Sequence, residues 1–398
     1  MSVLVAPALS MSGFVAVYAV ATAAWLFVPD ASLRAPALIV LTLALRLPFL
    51  AAEPRLSADV YRYMWDGRAL SSGLNPYEQL PGDPRVNHPG IRTIYPPHAE
   101  LLFAAVHDLT LWRLLLIAID IGIVLMLRST AYAACPVVIF EGVWSGHVDL
   151  VAGFLLLLAF RRRSGIAAAL AVGMKLTPLA AIPAMFRWSS GAAGPAAPHS
   201  ARLHRNRVIA FLATLLIPFA FFAMWGDVMP GLRDYAMRWI FNSPAYEVAF
   251  LTVDSLHIGA LLKRLLPVPV VFQYAYSDFI ARCALAVLAV GLIAWRRRSP
   301  VESVAALLLC APAIHPWYWL VIAPLAIAQR SGVTWLIVCA PFSYLLYGGA
   351  PPLVVYLLCY ALPAALIALP RISARASSGA GWLPAAMHPR TARDTSRW

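Results

Sequence analysis

The sequence predicts an all-α polytopic membrane protein with about 11–13 transmembrane or half-membrane helices and a folded first outer loop. Three observations carry that expectation. Of 398 residues, 61% are hydrophobic and only 12% are charged, and a soluble domain carries about 25% charged residues, so too little polar surface remains to face water. The mean hydropathy is +0.74. The net charge of +13 does not form a nucleic-acid-binding face. Its basic residues sit in short breaks between apolar runs, at Arg161 to Arg163, Arg202 to Arg207, Arg296 to Arg298 and Arg371 to Arg397, which is the positive-inside pattern. Soluble folds are excluded, and no nucleic-acid partner is expected.

Taken in order, the apolar runs lie at about 11–29, 35–52, 109–128, 131–145, 148–160, 164–187, 207–225, 279–295, 301–314, 317–329, 332–347 and 352–369. The first run lacks a basic leader, so a cleaved signal peptide is not expected. The 164–187 run is interrupted by Lys175 and Pro178 and flanked by arginines, a pattern that fits a hairpin of two half-length helices returning to the cytoplasm. From Arg128 onward the segments assigned to the cytoplasm hold 17 basic and two acidic residues, Glu302 and Asp394. The orientation of the first two runs rests only on Asp30 and Arg34 between them. Residues 1–370 are expected to form one transmembrane domain, followed by a disordered basic cytoplasmic tail at 371–398. The segment 188–206 reads as a flexible cytoplasmic loop. All five cysteines fall in apolar runs without metal-ligand spacing, so they read as packing residues, and no metal site is expected.

Two long polar segments fall on the outer side. Residues 53–98 carry five acids and five arginines with aromatic and turn residues, the composition of a folded loop. Residues 226–278 contain FNSPAYEV and an apolar piece at 248–266 that fits an interfacial or re-entrant helix.

Within the first loop, SADVYRYMWDGR at 57–68 places Ser57 to cap a helix with Asp59 in its first turn and Asp59, Arg62 and Asp66 on one face. The helix dipole favours an ionised carboxylate there, which suits a base. An interfacial helix tied by ion pairs accounts for the same residues equally well. Asn75-Pro76-Tyr77 and Tyr95-Pro96-Pro97 are stiff turns whose rings can stack on a sugar or serve as scaffold. Asp120, Glu141, Asp149 and Lys175 lie in or beside apolar runs, where charges pair or line a polar cavity. FEGVWSGHVD at 140–149 reads as a helix-turn-helix with His147 and Asp149 at its outer tip. Lys175, in GMKLTP, would meet a phosphate at the hairpin tip, or tie helices through Glu141 or Asp149. HPWYW at 315–319 fits an aromatic belt, but a belt has no need of His315.

In chain order, SADVYRYMWDGR, NPY, NHPGIRTIYPP, EGVWSGHVD, KLTP, FNSPAYEV and HPWYW resemble bacterial membrane glycosyltransferases of the GT-C superfamily. The likeness is greatest to mannosyltransferases that use polyprenyl-phosphate mannose to build phosphatidylinositol mannosides and lipomannans. It spans about residues 40–320. It implies an inner-membrane enzyme that transfers a sugar on the periplasmic face from a polyprenyl-phosphate donor to a glycolipid or glycan hydroxyl, among membrane lipids and with no other cofactor. It implies Asp59 as the catalytic base, and Arg62, Tyr63, Asp66, Arg68, Tyr95, Glu141, His147, Asp149, Lys175 and His315 as substrate-binding residues. Relatives carry two adjacent acids where this chain has Ala58-Asp59. A polysaccharide ligase or polymerase with a lipid-linked glycan donor and a lipid-linked-sugar transporter are the competing readings.

Overall fold

The computed structural model describes residues 11–31, 33–187, 197–265, 276–297 and 299–368. The basic tail and residues 188–196 of the expected cytoplasmic loop lie outside the described residues. Every regular element among those described is helical, and the one pairing of extended backbone is an isolated bridge between Phe241 and Ala313. The chain is an all-α polytopic membrane protein.

The helices follow the apolar runs closely. Leu109–Leu127, Ala201–Ala223 and Tyr276–Arg296 are each long and apolar enough to cross a membrane, and two bent pairs bring the number to five if each is one span. Among the described residues, seven further apolar helices are shorter. Proline explains much of the shortening. Pro300, Pro316, Pro324, Pro341 and Pro352 each stand in the first turn of a short helical segment, where a missing amide proton costs nothing, so each one starts a new turn.

The orientation of the first two helices, Met11–Trp25 and Ala35–Arg46, follows from contacts at their connection. Asp30 accepts from the Ser129 hydroxyl at 2.7 Å and pairs with Arg330 at 3.4 Å, so this connection shares a side with the arginines at 128 and 330. The first helix therefore begins at the opposite side, where Met11 borders the cavity described below. Deeper in the bundle, Arg46 and Asp120 form a fully buried pair at 2.6 Å.

The 164–187 run reverses at Lys175. Helix Gly165–Met174 leads to it, and a 3-10 turn at Thr177–Ala181 and helix Ile182–Arg187 lead away. Both ends lie against one stretch of the Ala197–Ala223 helix, between Arg207 and Phe211. A Cβ on Gly165 would stand 2.1 Å from the Arg207 carbonyl oxygen, and the Phe186 ring packs on Phe211 at 5.5 Å. Ten residues rise only about 15 Å, so Lys175 stops partway through the apolar layer.

The first outer loop is folded around two helices, Asp59–Ser71 and Pro97–Ala105. The second was not anticipated; it starts at the Pro96-Pro97 turn. The two approach closely at Gly67, where a Cβ would stand 2.2 Å from the Phe103 carbonyl oxygen. Tyr63 stacks on Phe103 at 4.5 Å. In the second outer segment, Pro244–Ser255 and Ile258–Leu265 meet at a 64° bend and expose Val248, Leu251, Leu256, Leu261 and Leu265.

Candidate active site

A polar cavity of about 360 Å³ lies where the first outer loop, the Lys175 turn, the 230–239 segment and the HPWYW segment converge. Asp59, Arg62, Asn87, His88, Tyr95, Lys175, Tyr235, Trp239, His315, Trp317, Tyr318 and Tyr347 are on its wall. Residues 250 positions apart thus share one chamber.

Asp59 enters from the first turn of its helix. Ser57 does not cap that helix in the expected way: its hydroxyl accepts the Asp59 amide at 3.2 Å, and Ala58 holds the cap position. The Asp59 side chain is 18% exposed and accepts one hydrogen bond, from Asn87 Nδ2 to Oδ1 at 3.1 Å. Its other oxygen faces inward, 4.0 Å from His147 Nδ1. A carboxylate open to the cavity on one side and backed by polar groups on the other is suited to accept a proton.

Lys175 occupies the opposite wall. Its ammonium lies 3.3 Å from Asp149 Oδ2, 4.5 Å from the centre of the Tyr318 ring and 5.5 Å from that of Tyr95. Lys175 thus ties helices through Asp149 and also borders the cavity. Behind this wall the stacked rings of His147, Trp317, His315 and Phe241 run in series, with centroids 4.2, 4.5 and 4.6 Å apart. Neither Trp317 nor Trp319 stands in an aromatic belt; both are buried with Tyr318.

The EGVWSGHVD segment bends far more sharply than a simple turn. Helical segments Val138–Trp144 and Asp149–Arg162 meet at 111°, and Gly146 at the bend has φ +77°, which other residues rarely adopt. A Cβ there would also press on Val60 at 3.0 Å. His147 and Asp149, expected at an outer tip, are fully buried, because the first outer loop and HPWYW close over them.

The remaining expected residues divide by position. Arg62 reaches the cavity but donates to the carbonyls of Ile91 at 2.8 Å and His88 at 3.2 Å, holding the loop that bears Asn87. Tyr63 is fully buried and meets Tyr95 hydroxyl to hydroxyl at 3.3 Å, so it supports the wall without lining it. Asp66 lies deeper in the loop beside Glu100 and Thr93. Burial pushes its carboxyl up to about 7 and raises Glu100 as well. Arg68 must be removed from the expected site. It follows Asp59 by nine residues, about two and a half helical turns, which turns it to the far face, where it pairs with Asp83 at 3.3 Å. Glu141 is buried behind His147 and bonds the Tyr344 hydroxyl at 3.0 Å. Tyr77 is scaffold: its hydroxyl donates to the Tyr95 carbonyl at 2.7 Å.

Sequence reasoning missed Tyr235, Trp239 and Tyr347 on the cavity wall. Tyr235 and Trp239 are brought in by the packing of the second outer segment on the first, and Tyr347 by the end of the 332–347 run. Among the described residues no three His, Cys, Asp or Glu side chains cluster so as to hold a metal ion.

A second cavity of about 290 Å³ adjoins the first. It shares Tyr95, Lys175, Tyr235, Trp239 and Tyr318 with the polar chamber, and the rest of its wall is largely apolar, including Leu176, Leu232, Leu307, Leu308 and Pro312. Lys175 stands at the seam between the two.

Residues 2–93 match the model of the MptA_B family, described as alpha-(1->6)-mannopyranosyltransferase, N-terminal domain. The matched stretch includes the helix that carries Asp59 and the loop that carries Asn87. No curated protein and no solved structure matches the chain.

Proposed function

We propose that this chain, whose first 93 residues match the N-terminal domain of an alpha-(1->6)-mannopyranosyltransferase family, is a GT-C mannosyltransferase that uses a polyprenyl-phosphate donor. It moves mannose to a hydroxyl of a glycolipid or glycan on the outer face of the membrane. Asp59 takes the acceptor proton as the acceptor oxygen attacks the anomeric carbon, and the configuration there inverts.

One observation carries this reading: Asp59 and Lys175 face one polar chamber, and Lys175 also stands at the mouth of an apolar one. A lipid phosphate has that same division between charged head and apolar tail. The tail fits the apolar chamber, its phosphate fits beside the Lys175 ammonium, and the sugar fits among the rings facing Asp59. Holding the donor by its tail fixes the reacting atoms near one another, a contribution separate from proton transfer. The positive charge of Lys175 opposes the charge that builds on the departing phosphate. The reaction needs no further cofactor in this reading.

The test is to incubate the purified protein in lipid nanodiscs with radiolabelled decaprenyl-phosphate mannose and octyl α-mannoside. Label in the octyl glycoside is the expected result. Transfer from a lipid-linked oligosaccharide and none from the monosaccharide donor would move the chain to the ligase class.

A further inference from the structure

Behind Asp59 the protein buries a row of groups that can carry protons. His147 Nδ1 stands 4.0 Å from Asp59 Oδ2, His147 Nε2 stands 3.5 Å from Glu141 Oε2, and that same Glu141 oxygen accepts the Tyr344 hydroxyl at 3.0 Å. Both His147 and Glu141 are fully buried. Neither ring nitrogen of His147 makes a hydrogen bond, and Glu141 Oε1 also has no partner. Buried polar atoms without a protein partner carry a free-energy cost and call for an explanation, a catalytic role among them. The ring plane is fixed by Trp317, stacked 4.2 Å away at 9°, so the two nitrogens are held toward the two carboxyls.

We propose that His147 and Glu141 form a proton relay behind Asp59, an inference that rests on Asp59 being the base. In the resting state the His147 proton is on Nε2, toward Glu141, and its Nδ1 lone pair faces Asp59. During transfer the bond from acceptor oxygen to anomeric carbon forms, the bond from that carbon to the phosphate oxygen breaks, and the acceptor proton goes to Asp59. Asp59 passes a proton to Nδ1 while the Nε2 proton passes to Glu141, so His147 ends neutral with its proton on the other nitrogen. Asp59 is ionised again before product leaves; once it has left, the proton returns through the same atoms to Asp59 and from there to water entering the cavity, which resets the site. The gaps of 4.0 and 3.5 Å exceed a formed hydrogen bond; rotation of the Asp59 side chain would close the first and a small shift of the Glu141 carboxyl the second, and catalytic hydrogen bonds are commonly loose before substrate binds.

The groups facing His147 fit this role. Burial first, and then the Lys175 ammonium, itself paired with Asp149 at 3.3 Å, disfavour a lasting positive charge on the imidazole, while Asp59 and Glu141 face its two nitrogens. The ring is thus set to pass a proton without storing it. His147 and Glu141 act through Asp59, as positioning residues.

The experiment uses the full-length protein in nanodiscs with decaprenyl-phosphate mannose and octyl α-mannoside. Glu141→Gln should lower kcat about ten- to a hundredfold, less than loss of the base itself, and leave the KM for the donor unchanged. In mixtures of light and heavy water, the wild-type proton inventory should bow, from more than one proton in flight, and become linear in the variant. Tyr344→Phe, which removes only the hydroxyl on Glu141, should shift the pH-rate profile with full folding, and it carries the test should Glu141→Gln not fold. Unchanged kcat, inventory and pH profile in these variants, with Asp59→Asn inactive, would overturn the relay and leave the base assignment standing. Near-wild-type turnover by Asp59→Asn would overturn both.

Discussion

Asp30 and Arg330, 300 residues apart, meet at 3.4 Å beside Ser129. The contact places the connection between the first two helices on the side that carries the arginines, which a connection holding only Asp30 and Arg34 did not reveal. A cysteine placed at 34 should therefore stay unlabelled by an impermeant reagent applied to intact cells. Cysteines at 92 and 348 should react, and one at 200 should not. Labelling at 34 or 200 would reverse the orientation.

Asp59→Asn should lower transfer about 10²–10⁴-fold while leaving expression, melting and donor binding unchanged. The amide keeps the size of the carboxyl but cannot take a proton, and Ala58 offers no second carboxylate. Asp66→Asn is the control, since Asp66 lies in the loop interior away from the cavity wall. Steady-state kinetics of the two variants checks the assignment; equal losses in both would contradict it.

Lys175→Met should weaken donor binding roughly ten- to a hundredfold, the size of a lost charge-assisted contact, and should also lower the melting temperature, because Asp149 is left buried without its partner. Adding Asp149→Asn should restore the melting temperature without restoring donor binding. Recovery of both would make Lys175 a structural tie alone.

Folding stability should fall as pH rises from about 4 to about 7. Burial raises the folded-state Asp66 carboxyl to about 7 from its ordinary value of 3.8, so the folded protein holds a proton that the unfolded chain releases earlier. The associated stability is complete below the unfolded value and lost as pH passes the folded one. Thermal melts across this range should flatten in Asp66→Asn, and an unchanged slope would acquit Asp66.

Gly67→Ala should destabilise the protein by about 1–3 kcal/mol, the usual cost of overpacking, since the new methyl meets the Phe103 backbone rather than a movable side chain. A melting temperature equal to wild type would mean that the two loop helices are less tightly apposed.

The spans were legible in the sequence because the apolar layer imposes a local rule. A run such as 109–128 must satisfy its own backbone hydrogen bonds and expose apolar side chains, and neither demand involves distant residues. The first outer loop and its leading candidate, Asp59, were legible for a related reason: balanced charges, rings and prolines stand out against an apolar chain. The reversal at Lys175 was marked by a charge and a proline inside one run, with arginines at both ends.

What tertiary structure alone decided is which of those polar residues meet. Arg68 shares a motif with Asp59, yet helical rotation turns it to Asp83, while Tyr235 and Tyr347 reach the cavity from the second outer segment and the end of the 332–347 run. His147 and Asp149 read as an outer tip and are fully buried, because the Gly146 bend packs on the first outer loop at Val60 and HPWYW, more than 160 residues further on, covers them. Local sequence fixes hydrogen bonding and amphipathicity within a segment. Burial and proximity of side chains depend on how whole helices pack, and that packing is a property of pairs of distant segments.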